Sequence, residues 1–407
     1  MEMAAALPSS WEELPPDILG LVLRHLPSLA DRVHLRAVCR PWRAGAHPQR
    51  HKPLPPPLPW LALRDGTLVD LRGAPVRCVP ILRDGVFRYL AVDNLAFLVH
   101  DDGSCSLMNP LSGQTLPLPD LAPAVRRAID SVPAYGQSFI RNGHVKVILP
   151  SPPDWTWTSD PLMAVLVLDG YCVVVSGFKQ HEAVSISICS ERAEGPERNH
   201  DIAFLHGKLY ILTFKEGLRV FKHDASHLGN PKSSPGFHQC IAEDPKQQEI
   251  YGYRNNPSYY VPRYLAESNG RLLMVRRWMS VPRNARLRDH GKTVGFEVFE
   301  ADLTSTPGKW TKLESLGGQT LFLSSQCTKS LLASQCAGGV QEDCIYFMHR
   351  AFDNPSCEYV GPCVDPLADS GVYSMRDGKI TPLLPEPVMA EMQRKRQFLT
   401  WFFPADA

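Results

Sequence analysis

Few residues of this chain stand at spacings that could do bond chemistry. His200 and Asp201 are adjacent and have the types of a general-base pair, but neither a nucleophile nor a third orienting group accompanies them. A turn entering a strand is the better reading of that dipeptide. Cys327, Cys336, Cys344, Cys357 and Cys363 crowd one stretch and invite a zinc reading. Their intervals are irregular and lack a paired-ligand knuckle, so structural thiols on strands are expected and no metal site. No Cys-x-x-Cys, His-Glu-x-x-His, Gly-x-Ser-x-Gly or P-loop glycine spacing occurs. The remaining chemistry is recognition. Arg271, Arg276, Arg277, Arg283, Arg286, Arg288 and Lys292 face a single acid, Asp289, and Pro282 with Asn284 argue for a loop through the middle. Arginine forks suit phosphate and carboxylate, and Trp278 would add an apolar anchor. Arg276, Trp278, Arg283, Arg286 and Arg288 are therefore candidate target-binding residues, for an acidic or phosphorylated protein. A solvated inter-strand loop is the plain alternative.

Two kinds of element must position these residues. Before residue 48 the pattern is helical. Ser9 or Ser10 can cap a first turn, Glu12-Glu13 suit a helix N-terminus, and Pro15-Pro16 suit a helix start. Ile18, Leu19, Val22, Leu23 and Leu26 then line one face of a 3.6-residue period until Pro27 ends it. Ser28 or Asp31 opens a second helix, and Pro41 a third turn carrying Trp42. Three short helices bury little surface alone, so an apolar stripe is left over for a partner or for the rest of this same chain. From Pro48 to Pro59 six prolines predict a stiff, extended spacer that holds two domains apart. After Trp60 short apolar runs alternate with hairpin signals. They are Asp65-Gly66, Asp84-Gly85, Asp102-Gly103, Asn142-Gly143, Asp169-Gly170, His206-Gly207, Asn269-Gly270 and Asp377-Gly378. Helical periodicity returns only at Leu121–Ile129 and Val388–Gln397. Repeated hairpins over so long a span favour a β-propeller, with room for six or seven blades.

Composition fits an ordinary globular chain: 407 residues, 44% hydrophobic, 21% charged. A net charge of +1 argues against a broad commitment to nucleic acid or to an anionic membrane. The longest apolar run, Leu162 to Val175, is broken by Asp169-Gly170 and is too short to span a bilayer. The first residues have no secretory pattern, and eleven scattered cysteines read as reduced thiols. A cytosolic or nuclear location is the expectation.

Residue identities add to the pattern. Trp11, Leu14-Pro15, Asp17-Ile18-Leu19, Val22, Leu26, Asp31-Arg32 and Val38-Cys39-Arg40-Pro41-Trp42-Arg43 resemble an F-box, a helical module that docks on the Skp-type adaptor of a cullin–RING (SCF) ubiquitin ligase. Leu107-Met108-Asn109-Pro110-Leu111-Ser112-Gly113 with Leu116-Pro117-Leu118-Pro119 resembles the Asn-Pro-Leu element of plant F-box proteins that carry a KIB-type β-propeller. Tyr264–Leu273, Phe296–Asp302, Leu316–Leu323, Cys344–Phe347 and Trp401–Pro404 follow in the family's order. The chain departs at Ala91–Val99, where the family usually has Ser-Gly-Gly-Trp-Leu, so the first blades are expected to pack differently.

The resemblance implies a mainly-β fold: an N-terminal three-helix F-box, then a β-propeller of six or seven blades. It divides the chain into a flexible N-terminus (1–9), the F-box (10–47), a Pro-rich linker (48–59) and the propeller (60–407). It implies an SCF substrate receptor rather than an enzyme, with no cofactor. The adaptor, and through it cullin, would meet Leu14, Pro15, Ile18, Leu19, Val22 and Leu26, while Val38 and Trp42 support the fold. The target is a protein of unknown identity. The alternative is a propeller that binds a partner without assembling into a ligase. Phe398–Phe403 is expected to pack near Trp60–Leu63, because so apolar a tail is rarely left exposed.

Overall fold

Proline and leucine placement shapes the N-terminal helices. In the computed structural model a 3-10 turn at Trp11–Glu13 precedes α1 (Pro16–His25), α2 (Leu29–Ala37) and α3 (Arg40–Gly45). Pro16 and Pro41 occupy first turns, where a missing N–H costs nothing. Asp17 lies at the start of α1 and Arg24 and His25 at its end, each complementing the helix dipole. Cys39 caps α3 through its sulfur, which accepts from Trp42 N. The structure describes residues 11–46, 54–63, 66–79, 85–118, 121, 123, 145–149, 162–167, 172–178, 183–186, 199–221, 237–247, 250–251, 258–281, 292–324, 326–336, 339–348, 369–394 and 399–405. Ser9, Ser10 and most of the helix expected at Leu121–Ile129 lie outside them. The helix expected near Val388 is present as α4 (Glu386–Arg394). Among the described residues no helix is long and apolar enough to cross a membrane.

The rest is β-structure. The first sheet holds β1 (Trp60–Leu63), β2 (Thr67–Val69) and β3 (Pro75–Cys78). The second holds β4 (Val86–Val92), β5 (Leu95–His100), β6 (Cys105–Met108) and β7 (Thr115–Pro117). In the third are β8 (Val145–Ile148), β9 (Leu162–Val167), β10 (Cys172–Phe178) and β11 (Ala183–Ile186). The fourth contains β12 (Asn199–Leu205), β13 (Lys208–Thr213), β14 (Leu218–Phe221) and β15 (Phe237–Ile241). The fifth contains β16 (Ile250–Tyr251), β17 (Ser258–Tyr260), β18 (Arg263–Ser268), β19 (Arg271–Val281), β20 (Lys292–Asp302) and β21 (Lys309–Leu313). The sixth contains β22 (Gln319–Leu323), β23 (Thr328–Leu332), β24 (Cys344–Phe347), β25 (Gly371–Ser374) and β26 (Ile380–Thr381). The last strand, β27 (Leu399–Phe402), returns to the first sheet and pairs antiparallel with β1, Trp60 opposite Phe402 and Leu63 opposite Leu399. The apolar tail is thus a closing strand, as its composition predicted.

The expectation of six or seven blades is overturned: the propeller has five. Blades are antiparallel throughout, and among the described residues the first five sheets meet that pattern. The sixth is mixed. Its β23 folds back along one edge of β22, so the chain must cross over to add β24 on the other edge, which runs parallel to β22 from Thr320↔Cys344 to Leu323↔Phe347. That crossover sheet completes the ring without being a blade of the repeat. His206-Gly207 and Asn269-Gly270 turn their hairpins with positive φ at both residues (49° and 71°, 50° and 75°). Gly85 instead connects two sheets, and Asp93, at φ 53°, turns the β4–β5 hairpin that the glycine signals missed.

Alternation puts apolar faces between neighbouring sheets. Trp60, Ala62 and Phe402 pack on Ala96 and Leu98, joining the first and second sheets. Ala164 and Val173 meet Ile202 and Phe204; Leu212 and Leu218 meet Leu265 and Met274; Val275 and Val298 meet Leu321 and Ile345. The circuit closes where Phe322 and Tyr346 of the sixth sheet meet Leu61 and Trp401 of the first. There the Trp401 indole stands edge-on to Phe322 and donates to Leu323 O at 3.1 Å.

The helical module does not stand off from this ring. Leu29, at the start of α2, is buried among Trp60, Ala62, Leu68 and Phe402. Leu58 N donates to Pro27 O at 2.9 Å, while its side chain packs in the cluster between the sixth and first sheets. Leu54 packs instead on the helical core. The spacer reading is therefore corrected: leucines between the prolines offer enough apolar surface to join the two units. Pro48 and Pro53 lie outside the described residues.

Truncation after Gln397 is expected to remove the closing strand and lower the melting temperature and soluble yield. Trp401→Ala, which empties a fully buried indole site, is expected to cost about 3–5 kcal/mol in denaturant unfolding. An unchanged midpoint for both would refute closure by β27.

Candidate protein-interaction surfaces

On the helical module, burial separates structural from available apolar residues. Leu19, Leu23, Leu35 and Ala46 form its core, with Leu14, Leu26, Trp42 and Leu54 packed around them. Leu19, expected to face a partner, is 1% exposed and belongs to that core. The reason is phase: Leu19 and Leu23 point inward one turn apart, and Ile18 and Val22 are rotated out. Ile18 is 45% and Val22 39% exposed, and Leu21 is exposed beside them. Pro15 is exposed, whereas Leu14 and Leu26 are half-buried. Trp11, at 79%, and Val38, at 62%, are exposed as well. Val38 was expected to support the fold and does not. Trp42 does: its indole Nε1 donates to Trp11 O at 2.7 Å and ties the opening turn to α3. The module thus presents Trp11, Pro15, Ile18, Leu21 and Val22 outward. Trp11 and Leu21 were not singled out as partner residues from the sequence, although Leu21 follows the exposed phase of Ile18 and Val22.

On the propeller, the basic segment divides. Arg271–Val281 is strand β19, and Lys292 opens β20. Arg283, Arg286 and Arg288 lie outside the described residues. Arg276 is committed internally: its Nε and Nη2 donate to the two oxygens of Glu216 at 2.7 and 2.6 Å, and its Nη1 reaches Glu297 Oε2 at 3.4 Å. The guanidinium also lies 4.4 Å from the Phe299 ring centre. Trp278 donates from Nε1 to the same Glu297 oxygen at 3.0 Å and stands edge-on to Tyr259. Glu297 is held below the usual carboxylate range. Partial burial opposes ionisation, but the bonds from Lys312 and Trp278 and the charges of Lys312 and Arg276 outweigh it. Arg276 and Trp278 thus belong to a charge-and-aromatic ladder on one sheet face.

The buried polar groups of the propeller join sheets. Asp201 accepts from Lys146 Nζ at 2.6 Å, Ile202 N at 2.8 Å and Leu265 N at 2.7 Å, linking the third, fourth and fifth sheets. His200 Nε2 accepts from Arg263 N at 2.7 Å. The pair, expected at a turn entering a strand, lies within the first residues of β12, at a bulge between Asn199 and Asp201. Arg277 is buried: it donates to Thr293 Oγ1 (2.7 Å), Met348 O (2.7 Å) and Asp369 Oδ2 (2.7 Å), crossing from the fifth sheet to the segment leading into β25 of the sixth. No sequence signal pairs Arg277 with a residue 92 positions away.

Among the described residues no three His, Cys, Asp or Glu stand together as metal ligands. Cys327, Cys336 and Cys344 are buried and unbridged; Cys357 and Cys363 lie outside the described residues. Burial pushes the Cys327 thiol up to about 12 and Cys336 up to about 11.

Comparisons with known proteins agree with this division. Residues 11–49 match the F-box-like family model, and residues 82–374 match the KIB1-4 beta-propeller model. No curated protein matches. Among solved structures, the crystal structure of the N-terminal domain of Nup159 aligns at 13% identity with a TM-score of 0.25. The alignment covers 57% of this chain and spans about 55% of that one.

Two measurements check the site geometry. Arg276→Glu places three carboxylates together and is expected to destabilise by roughly 3 kcal/mol or more, as loss of a buried pair does; an unchanged unfolding midpoint would mean that Arg276 is free for a ligand. Native alkylation at pH 8 is expected to modify exposed Cys78 and to spare Cys327 and Cys336, whose raised values keep them protonated thiols there. Mass spectrometry of labelled peptides reads the outcome, and equal labelling of all three would contradict it.

Proposed function

Because the chain belongs to the KIB1-4 β-propeller family and carries an F-box-like module, we propose that it is the target-receptor subunit of an SCF ubiquitin ligase. The module docks on a Skp-type adaptor, and through it cullin, while the propeller holds the protein to be modified. The observation that carries this reading is the outward apolar patch of Trp11, Pro15, Ile18, Leu21 and Val22 on a module whose core is filled by other residues. An exposed tryptophan beside aliphatic side chains marks an interaction site on an otherwise ordinary surface. Leu14 and Leu26 flank the patch and shape it, and Leu19 supports it from below. The chain supplies proximity and orientation; the transfer chemistry belongs to the ligase. A cytosolic or nuclear location belongs to the same proposal.

The second reading, a propeller that binds a partner without ligase assembly, draws on Leu29, which gives the helices a packing role of their own. Co-purification with a Skp-type adaptor separates the two. Ile18→Asp with Val22→Asp puts charge on the exposed face without touching the helical core, and is expected to abolish adaptor capture while leaving the melting temperature within about 2 °C of the parent. The double variant Leu14→Ala, Pro15→Ala is expected to weaken capture as well. Adaptor binding that persisted in both would remove the receptor assignment.

A further inference from the structure

We infer that the helical module and the propeller are one mechanical body, locked by three leucines that each enter a different core. Leu54 lies against the helical core of Leu19, Leu23 and Leu35. Four residues on, Leu58 sits in the cluster between the sixth and first sheets, against Phe322 and Trp401. Leu29 enters the cluster between the first and second sheets, against Trp60 and Phe402. Leu58 N to Pro27 O adds a main-chain tie between the end of α1 and the segment leading into β1.

The module thus meets the ring directly at Leu29 and is tied to it a second time through the Leu54–Leu58 segment, and two separate ties resist a rotation that one would permit. The prolines at 55, 56, 57 and 59 restrict the backbone between the Leu54 and Leu58 anchors, so little freedom is lost when both are seated. The fit at Leu58 is close. A Cβ on Gly339 would come within 2.2 Å of its Cδ1, so any larger residue at that position must push the Leu58 side chain from its present seat. The lock also completes the module, which is too small to bury its own surface. Ile18 and Val22 are exposed with all the anchors seated, so the outward patch stays accessible while the module is held. The inference stands whether or not that patch meets an adaptor.

Hydrogen exchange on the full-length chain tests it. Leu29→Asp puts a charge into the seat and is expected to raise amide exchange throughout α1–α3 by about tenfold or more, with protection of β18–β20 unchanged. Gly339→Leu attacks the lock from the propeller side by displacing Leu58, and is expected to loosen the same helices although it lies far from them in sequence. Small-angle scattering would show a larger maximum dimension for both variants. Unchanged helical exchange in the Gly339→Leu protein, with a parental scattering profile, would overturn the lock. If Leu29→Asp lost protection in β18–β20 as well, Leu29 would be a general core residue and the lock would be refuted at that anchor.

Discussion

Closure of the ring sets the terms for everything else in this molecule. A circle of sheets gains its full burial only when first and last members meet. Here that meeting is four residue pairs between Trp60–Leu63 and Leu399–Phe402. One face of the completed sheet receives Phe322 and Tyr346, and the other receives Ala96 and Leu98. The helical module rests on it too, through Leu29. Closure also disposes of the exposed edge that β1 would otherwise present.

Buried charge adds what apolar faces lack, a fixed azimuth between neighbours. Apolar contact is non-directional, so flat sheet faces can slide. The Asp201 carboxylate admits one arrangement of Lys146, Ile202 N and Leu265 N. The Glu216 clamp on Arg263 and Arg276 does the same between the fourth and fifth sheets, and the Arg277–Asp369–Thr293 group between the fifth and sixth. Such groups cost desolvation and return geometry. They are also why the chain's most basic segment is not simply a charged surface: two of its arginines, Arg276 and Arg277, hold sheets.

Local patterns were legible in the sequence and long-range pairings were not. The helix phase at Ile18–Leu26, the hairpins at His206-Gly207 and Asn269-Gly270, and the closing tail each follow from residue types within a short window. Leu19 shows the limit: one residue from Ile18, it takes the opposite side, and periodicity gives a stripe without saying which edge faces in. The blade count failed for a related reason. Hairpin signals count turns, and nothing local marks the crossover that lets β24 lie parallel to β22. Prolines at 55–57 and 59 likewise announce stiffness, but the leucines at 54 and 58 decide that the stiff segment lies against both units. The Arg277–Asp369 pair is invisible until the chain is folded.

The strand that closes the ring follows every other described strand in the chain, so it leaves the ribosome after them. Until Phe402 emerges, the sheet begun at Trp60 lacks the strand that pairs with β1, and the seat for Leu29 lacks one of its walls. The helices α1–α3 are therefore made before the seat for Leu29 is complete. A chain halted anywhere before the final strand carries an unseated module and an open sheet edge, the features that chaperones and proteases act on in incomplete chains. Synthesis through Phe402 is thus written into the geometry as a condition for a finished helical module.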